Sequence, residues 1–460
     1  MRSCPRVVIA GTQSGVGKTS VSLALIAALR RRGYRVQTFK VGPDFLDPSY
    51  LALASGRPCY NLDGWMADKD YVCRLFLRAT KGADIAVVEG VMGLFDGANP
   101  ANSEGSTAEI ARWLRAPVIL VAGAHGMGRS LAALVKGYAH FEPGVEVAGV
   151  IANQCGSERH AAWLSDSLRA SSLPPLVGAI PRNAFPKLEG RHLGLVTAHS
   201  GNLSGAALDT FAHAFELHGS VEELLRLSQG LPSLETPPEE ELTLSKPIRI
   251  GVAFDTAFHF YYQDLFDEME LRGCDLIRFS PTEHDSLPEG LDALYIGGGY
   301  PEEHAEALSA NLPMLTEIRQ FAASGRPVYA ECGGLIYLSR IIETLDGKQY
   351  PLAGLLPART RMLKGKKSLG YVEVTLKEDS LWGSKDTVLR GHRFHYSELT
   401  EDPTANPDWK TIYRVRRPLS GVAADEGFQR GRVLASYIHL HLGSRPEAIE
   451  RFITRCGGEP

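Results

Sequence analysis

The stretch Gly11-Thr12-Gln13-Ser14-Gly15-Val16-Gly17-Lys18-Thr19 constrains this chain more than any other, because it demands a strand before it and a helix after it. Val7–Ala10 supplies the apolar strand, and Ser20–Arg32 reads as a helix closed by Gly33. Gly11, Gly15 and Gly17 free the loop backbone so that its N–H groups, that of Thr12 included, can turn toward phosphate oxygens. The helix N-terminus adds the positive end of its dipole. Lys18 is then placed to reach the β- and γ-phosphates of ATP, and the Thr19 hydroxyl to ligate Mg2+. The spacing Gly-x5-Gly-Lys-Thr is one residue longer than the common pattern. A glycine-rich turn without a ligand would not explain a Lys-Thr pair at the head of the helix.

Further apolar runs at Val36–Phe39, Ile85–Glu89, Val118–Ala122 and Val147–Asn153 alternate with helical stretches. Short apolar strands separated by helices predict an α/β fold with a parallel sheet covered on both faces. The texture changes at Leu231–Lys246, where three prolines sit among glutamates, which predicts a linker between domains at 1–230 and 247–460. The strand–helix rhythm restarts with Ile248–Ala253, Asp275–Phe279, Ala293–Ile296 and Pro327–Ala330. More strand-like sequence follows at Gly370–Leu376 and Arg432–Ile438.

A formal net charge of -4 gives no basic surplus with which to hold nucleic acid or anionic lipid. No apolar run is long enough to span a membrane, and the start of the chain lacks a signal-peptide pattern. The seven cysteines are scattered without paired short spacings, which fits reduced thiols and a cytoplasmic setting.

Two groups of residues invite chemistry. Glu89, ending its strand, is placed to hold Mg2+ or its water, and Asp44, Asp47 and Asp96 follow strand ends, which line the ligand crevice of an open parallel sheet. Carboxylates beside Gly and Pro are also ordinary turn formers. Farther on, Val328-Tyr329-Ala330-Glu331-Cys332-Gly333-Gly334 runs from a strand through a sharp turn into a helix, the elbow that exposes a nucleophile. Gly297-Gly298-Gly299 ends another strand and can offer backbone N–H groups to an oxyanion, and His439 offers a base. A lone cysteine is more often a small buried hydrophobe, but the order glycine loop, cysteine elbow, histidine strand favours a nucleophile.

With both groups in view, the sequence resembles the cobyrinic acid a,c-diamide synthase family of corrinoid biosynthesis over nearly its whole length. The resemblance rests on Gly11–Thr19, Lys40–Asp47, Glu89–Gly97, Arg191–Leu195, Gly297–Glu302, Ala330–Leu335 and Gly391–Ser397. It implies a dethiobiotin synthetase-like phosphate-loop domain followed by a class I glutamine amidotransferase domain. It further implies that ATP activates acetate side chains of an acidic tetrapyrrole as acyl phosphates, and that ammonia from L-glutamine converts them to amides. By the same resemblance Cys332 is the nucleophile and His439 its base, with Gly298 and Gly299 at the oxyanion. Lys18, Thr19, Asp44 and Glu89 would serve ATP and Mg2+, while Phe45, Leu46, Asp47 and Asp96 would position the substrate. The sequence leaves the oligomeric state open, a homodimer among the alternatives.

The chain departs from the family pattern at several positions. Phe45 stands where Tyr is frequent, Gly123 where Asp is frequent, and Arg393 where Glu is frequent. A histidine common soon after Asp47-Pro48 is absent. His439-Leu440-His441 replaces His-Pro-Glu, so no acid partner for His439 can be named from sequence. The competing readings are amidation of another sirohydrochlorin-derived tetrapyrrole, in a nickel or iron form, and a nucleotide-switched metal-delivery protein. A dethiobiotin synthetase-like ligase would need only the first half of the chain.

Overall fold

The computed structural model describes residues 4–188, 190–191, 194–195, 203–235, 247–365, 368–418 and 421–457. Most of the proposed linker, and His192 and Leu193 of one family motif, lie outside the described residues. The chain forms two compact units, Met1–Pro238 and Glu239–Pro460.

The first unit is built on strands β1 (Arg6–Gly11), β2 (Val36–Val41), β3 (Cys59–Leu62), β4 (Ile85–Glu89), β5 (Val118–Gly123), β6 (Val147–Cys155) and β7 (Leu176–Pro181). Their order is β3-β2-β4-β1-β5-β6-β7, and every pairing is parallel. Burial explains why these strands are apolar throughout rather than alternating. Along β1, Val8 and Ala10 enter one core with Phe39, Val88 and Leu120. Val7 and Ile9 enter the opposite core with helix α1 (Lys18–Arg31), through Val21, Leu25 and Ala28. Both faces of the central strand are dry, so its C-terminal end is the place where polar loops can gather.

The second unit carries a mixed ten-stranded sheet. Cys274–Phe279, Ile248–Ala253, Ala293–Ile296, Val328–Glu331 and Val433–Ser436 form its parallel part, in that order. The order then continues antiparallel through Ala423–Arg430, Lys410–Arg416, Ser368–Leu376, Val388–His395 and Ile438–Leu440. The single strand expected over Arg432–Ile438 is therefore two strands, broken at Tyr437. Its first half pairs with the parallel part and its second half with Val388–His395, so the antiparallel portion curls back on itself. This break sets His439 apart from the strand that leads into it.

Candidate functional site: a phosphate loop and a cysteine elbow

In the first unit the loop between β1 and α1 is shaped by its glycines. Gly15 and Gly17 have φ of 75° and 100°, a region that penalises any side chain. A Cβ on Gly17 would lie 2.3 Å from the Asn153 amide nitrogen, which itself donates to the Val16 carbonyl at 2.9 Å. The loop is thus clamped by the end of β6. Tyr138 donates a hydrogen bond to the Thr12 carbonyl, holding the other side. Lys18 is buried and donates to the Gln13 and Met92 carbonyls, so its ammonium is folded back over the loop. Burial lowers its pKa, and the neighbouring Lys40 ammonium lowers it further.

Beneath the loop lies a cluster of charge. The Thr19 hydroxyl donates to Glu89 Oε1 at 2.8 Å. Lys40, on β2, is buried and donates to Asp47 Oδ2 at 2.6 Å, Glu89 Oε1 at 2.9 Å and the Gly90 carbonyl at 3.1 Å. Its ammonium is 4.0 Å from Asp44 Oδ2. Register explains the meeting: Lys40 pairs directly with Glu89 across β2 and β4. Asp47 lies in the first turn of the helix Leu46–Ser55, and Asp44 Oδ1 accepts from the Leu46 and Asp47 N–H groups at that helix start. Phe45 is the residue that caps it.

The titration behaviour follows. Burial, with the Asp47 charge beside it, pushes Asp44 up to about 7. Burial would raise Asp47 too, but Lys40 outweighs it and holds that carboxyl below its usual range. Burial raises Glu89 despite Lys40.

The residues present suit a magnesium ion. Glu89 Oε2 is buried and has no hydrogen-bond partner, the Thr19 hydroxyl adjoins the same carboxylate, and magnesium needs only one or two carboxylates beside substrate phosphates. Among the described residues no group of three or more His, Cys, Asp or Glu side chains gathers for a metal. Lys40 stands among Asp44, Asp47 and Glu89 instead. Asp96 folds onto its own loop, accepting from the Gly93 N–H at 2.8 Å.

In the second unit Cys332 joins the strand Val328–Glu331 to the short helix Gly333–Leu338. Its φ of 51° and ψ of -98° form a strained elbow, of the kind that costs about 1–3 kcal/mol and persists only where surroundings enforce it. The Cys332 N–H donates to the Ser436 carbonyl at 2.7 Å. Glycines make the turn fit: a Cβ on Gly334 would lie 2.1 Å from the Ile296 carbonyl, and one on Gly333 would lie 3.0 Å from the Gly299 nitrogen. The strand end at Ile296–Gly299 is thereby pressed against the elbow, bringing Gly298 and Gly299 to the nucleophile.

The Cys332 thiol donates to the Phe394 carbonyl at 3.6 Å, and it lies close enough to the His439 imidazole to shift that ring's titration. His439 Nδ1 donates to Glu331 Oε1 at 3.0 Å, with both side chains almost wholly buried. Burial by itself would depress the imidazolium, but the Cys332 and Glu331 charges outweigh it and lift its pKa to about 10. The His392 ring lies 5.0 Å from that of His439 at an interplanar angle of 20°, directly opposite it in the strand register. His392 is pushed well below its ordinary value, first by burial and then by His439. Sequence reasoning gave Glu331 and His392 no role, although both lie in motifs that it singled out. Strand alternation would place Glu331 and Cys332 on opposite faces, so no local signal linked Glu331 to the nucleophile; only the elbow at Cys332 and the distant His439 bring it into the site.

Family comparisons agree with both halves. The model described as "CobQ/CobB/MinD/ParA nucleotide binding domain" matches residues 7–196, and that described as "CobB/CobQ-like glutamine amidotransferase domain" matches 249–447. A protein of Syntrophotalea carbinolica named cobyrinate a,c-diamide synthase is 55% identical, over 99% of this chain and 100% of its own. This chain belongs to the cobyrinate a,c-diamide synthase family. Proteins of that name in Archaeoglobus fulgidus and Priestia megaterium are 39% and 38% identical, each over 98% of this chain and 97% of their own. Within the family frame, the first unit is a nucleotide-binding domain and the second a glutamine amidotransferase domain.

Proposed function

We propose that the chain converts the a and c acetate side chains of cobyrinate, or of metal-free hydrogenobyrinate, into amides at the expense of ATP and glutamine. What supports the reading is one pairing: a phosphate loop and a thiol–imidazole–carboxylate cluster in a single chain, 55% identical over its length to a protein of that name.

Lys18 and the backbone N–H groups of Gly11–Thr19 bind and orient the triphosphate. Thr19, Glu89 and Asp44 would hold Mg2+, which offsets the repulsion between two anions when bound. Asp47, fixed by Lys40, positions the acidic substrate with Phe45, Leu46 and Asp96. The acetate carboxylate takes the terminal phosphoryl group, giving an acyl phosphate and ADP. Ammonia attacks that acyl carbon, and phosphate leaves.

The ammonia comes from the second unit. The Cys332 thiolate attacks the glutamine carboxamide carbon, while Gly298 and Gly299 N–H groups face the developing oxyanion. The His439 imidazolium gives its proton to the departing ammonia. Water then cleaves the thioester, with His439 as base, and glutamate leaves.

Mass spectrometry of a panel of acidic tetrapyrroles incubated with ATP, Mg2+ and either glutamine or ammonia tests this reading. Two carboxyl-to-amide conversions are expected on cobyrinate. Cys332→Ser should lose the glutamine-supported conversions and keep the ammonia-supported ones. A folded variant that loses both would overturn the division of labour.

A further inference from the structure

The amidotransferase unit has a nucleophile and a base, yet His439-Leu440-His441 provides no carboxylate two residues after the base. His441 is turned to other partners, with Nδ1 3.0 Å from Ser444 Oγ and Nε2 3.3 Å from Asp264 Oδ2. The described residue that places a carboxylate against His439 is Glu331, the neighbour of the nucleophile itself. We propose that Glu331 is the positioning acid of this site, fixing the tautomer and orientation of His439 from the nucleophile's own strand. This rests on the reading of Cys332 as the glutamine-hydrolysing thiol.

Three observations carry it. First, the hydrogen bond from His439 Nδ1 to Glu331 Oε1, at 3.0 Å, commits the Nδ1 proton because a carboxylate only accepts. Nε2 is thereby left to face Cys332, as an acid–base role on the thiol requires.

Second, Glu331 is itself immobilised. Tyr329 donates to its Oε2 at 2.8 Å and Tyr295 to its Oε1 at 3.4 Å. Burial and the adjacent Glu331 charge push both phenols well above their usual range, so they remain donors throughout the working pH range.

Third, the elbow makes the arrangement geometrically available. Successive side chains on a strand point to opposite faces, so Glu331 and Cys332 on a regular strand would diverge. The φ of 51° at Cys332 breaks that alternation, and both side chains reach one imidazole. The strain at the elbow therefore serves to bring the carboxylate and the buried thiol to the same ring.

The charged and titratable groups around His439 include Cys332 and Glu331 on the elbow, His392 on the facing strand with Tyr262 and His441 against it, Tyr437 beside the thiol, and Tyr295, Tyr329 and Tyr413 behind Glu331. Of these, Glu331 is the one whose charge can be removed isosterically without touching the thiol.

The test compares wild type, Glu331→Gln and Glu331→Asp in the full chain. Glutamine hydrolysis by Glu331→Gln should fall in kcat on the order of 10²-fold or more, with a much smaller change in KM. Ammonia-supported amidation should be unchanged, and Glu331→Asp should recover part of the loss. The alkaline limb of kcat/KM reports loss of the imidazolium proton. It should move down by at least about one pH unit in Glu331→Gln, since an adjacent opposite charge raises an imidazole's pKa.

A role in packing alone would leave that limb where it is. The pH profile of Cys332 alkylation, read by mass spectrometry, should show its alkaline inflection moved down by the same amount. It gives this answer even if glutamine proves not to be the substrate. Unchanged hydrolysis, or an unmoved limb and alkylation profile in a folded Glu331→Gln, would overturn the proposal. Absence of glutamine hydrolysis in wild type would instead overturn the reading of Cys332.

Discussion

Gly298→Ala is a one-carbon change whose consequence can be worked from distances. Gly298 is not in the left-handed region, so the alanine incurs no backbone penalty and acts only through its methyl group. That methyl would lie 2.6 Å from His439 Cε1 and 3.1 Å from Phe260 Cβ. Carbon atoms prefer about 3.5–4.0 Å, so the imidazole must retreat by roughly 1 Å.

Little slack is available for that retreat. Nδ1 is tied to Glu331 at 3.0 Å, and the His392 ring is stacked 5.0 Å away. The backbone is pinned too, because a Cβ on Gly391 would stand 2.2 Å from the His439 carbonyl. A misplacement of about 1 Å at a reacting group costs on the order of 10²-fold in rate, and overpacking a dry site costs about 1–3 kcal/mol of stability.

The assay is glutamate release from glutamine beside ammonia-supported amide formation in the same preparation. Hydrolysis should collapse, ammonia-supported synthesis should persist, and the thermal transition should drop modestly. Unchanged glutamine hydrolysis in a folded Gly298→Ala would refute the placement of His439 as the base against this glycine.

Lys18→Ala should abolish amide formation with either nitrogen donor while glutamine hydrolysis at Cys332 survives, and retained synthesis would remove the phosphate-loop assignment. Lys40→Met leaves Asp47 and Glu89 buried without their cation. Breaking a buried pair by removing one partner costs about 3–5 kcal/mol, and thermal unfolding with and without Mg2+ should show that loss and its partial recovery by the metal. A variant as stable as wild type in both conditions would show that the ammonium is dispensable to the carboxylate cluster.

Features encoded within a few adjacent residues could be read directly from the sequence. Gly11–Thr19 announces its strand–loop–helix context because glycine conformations and a Lys-Thr pair at a helix start are properties of neighbouring backbone. Val328–Gly334 announces an elbow for the same reason. Other features depend on residues far apart in the chain. His439 was legible as a base, but its partner Glu331 is 108 residues away in sequence and meets it only through the order of strands in a mixed sheet.

Lys40 illustrates the same limit in the first unit. Its place in a family motif was visible, but its grip on Asp47 and Glu89 depends on the register of β2 against β4. The expected strand over Arg432–Ile438 divides at Tyr437 because its two halves pair with different neighbours, which no local propensity encodes. Local sequence encodes which groups can do phosphate and thiol chemistry. Tertiary structure decided which charges share a site, because hydrogen bonds and burial depend on separation in space rather than along the chain.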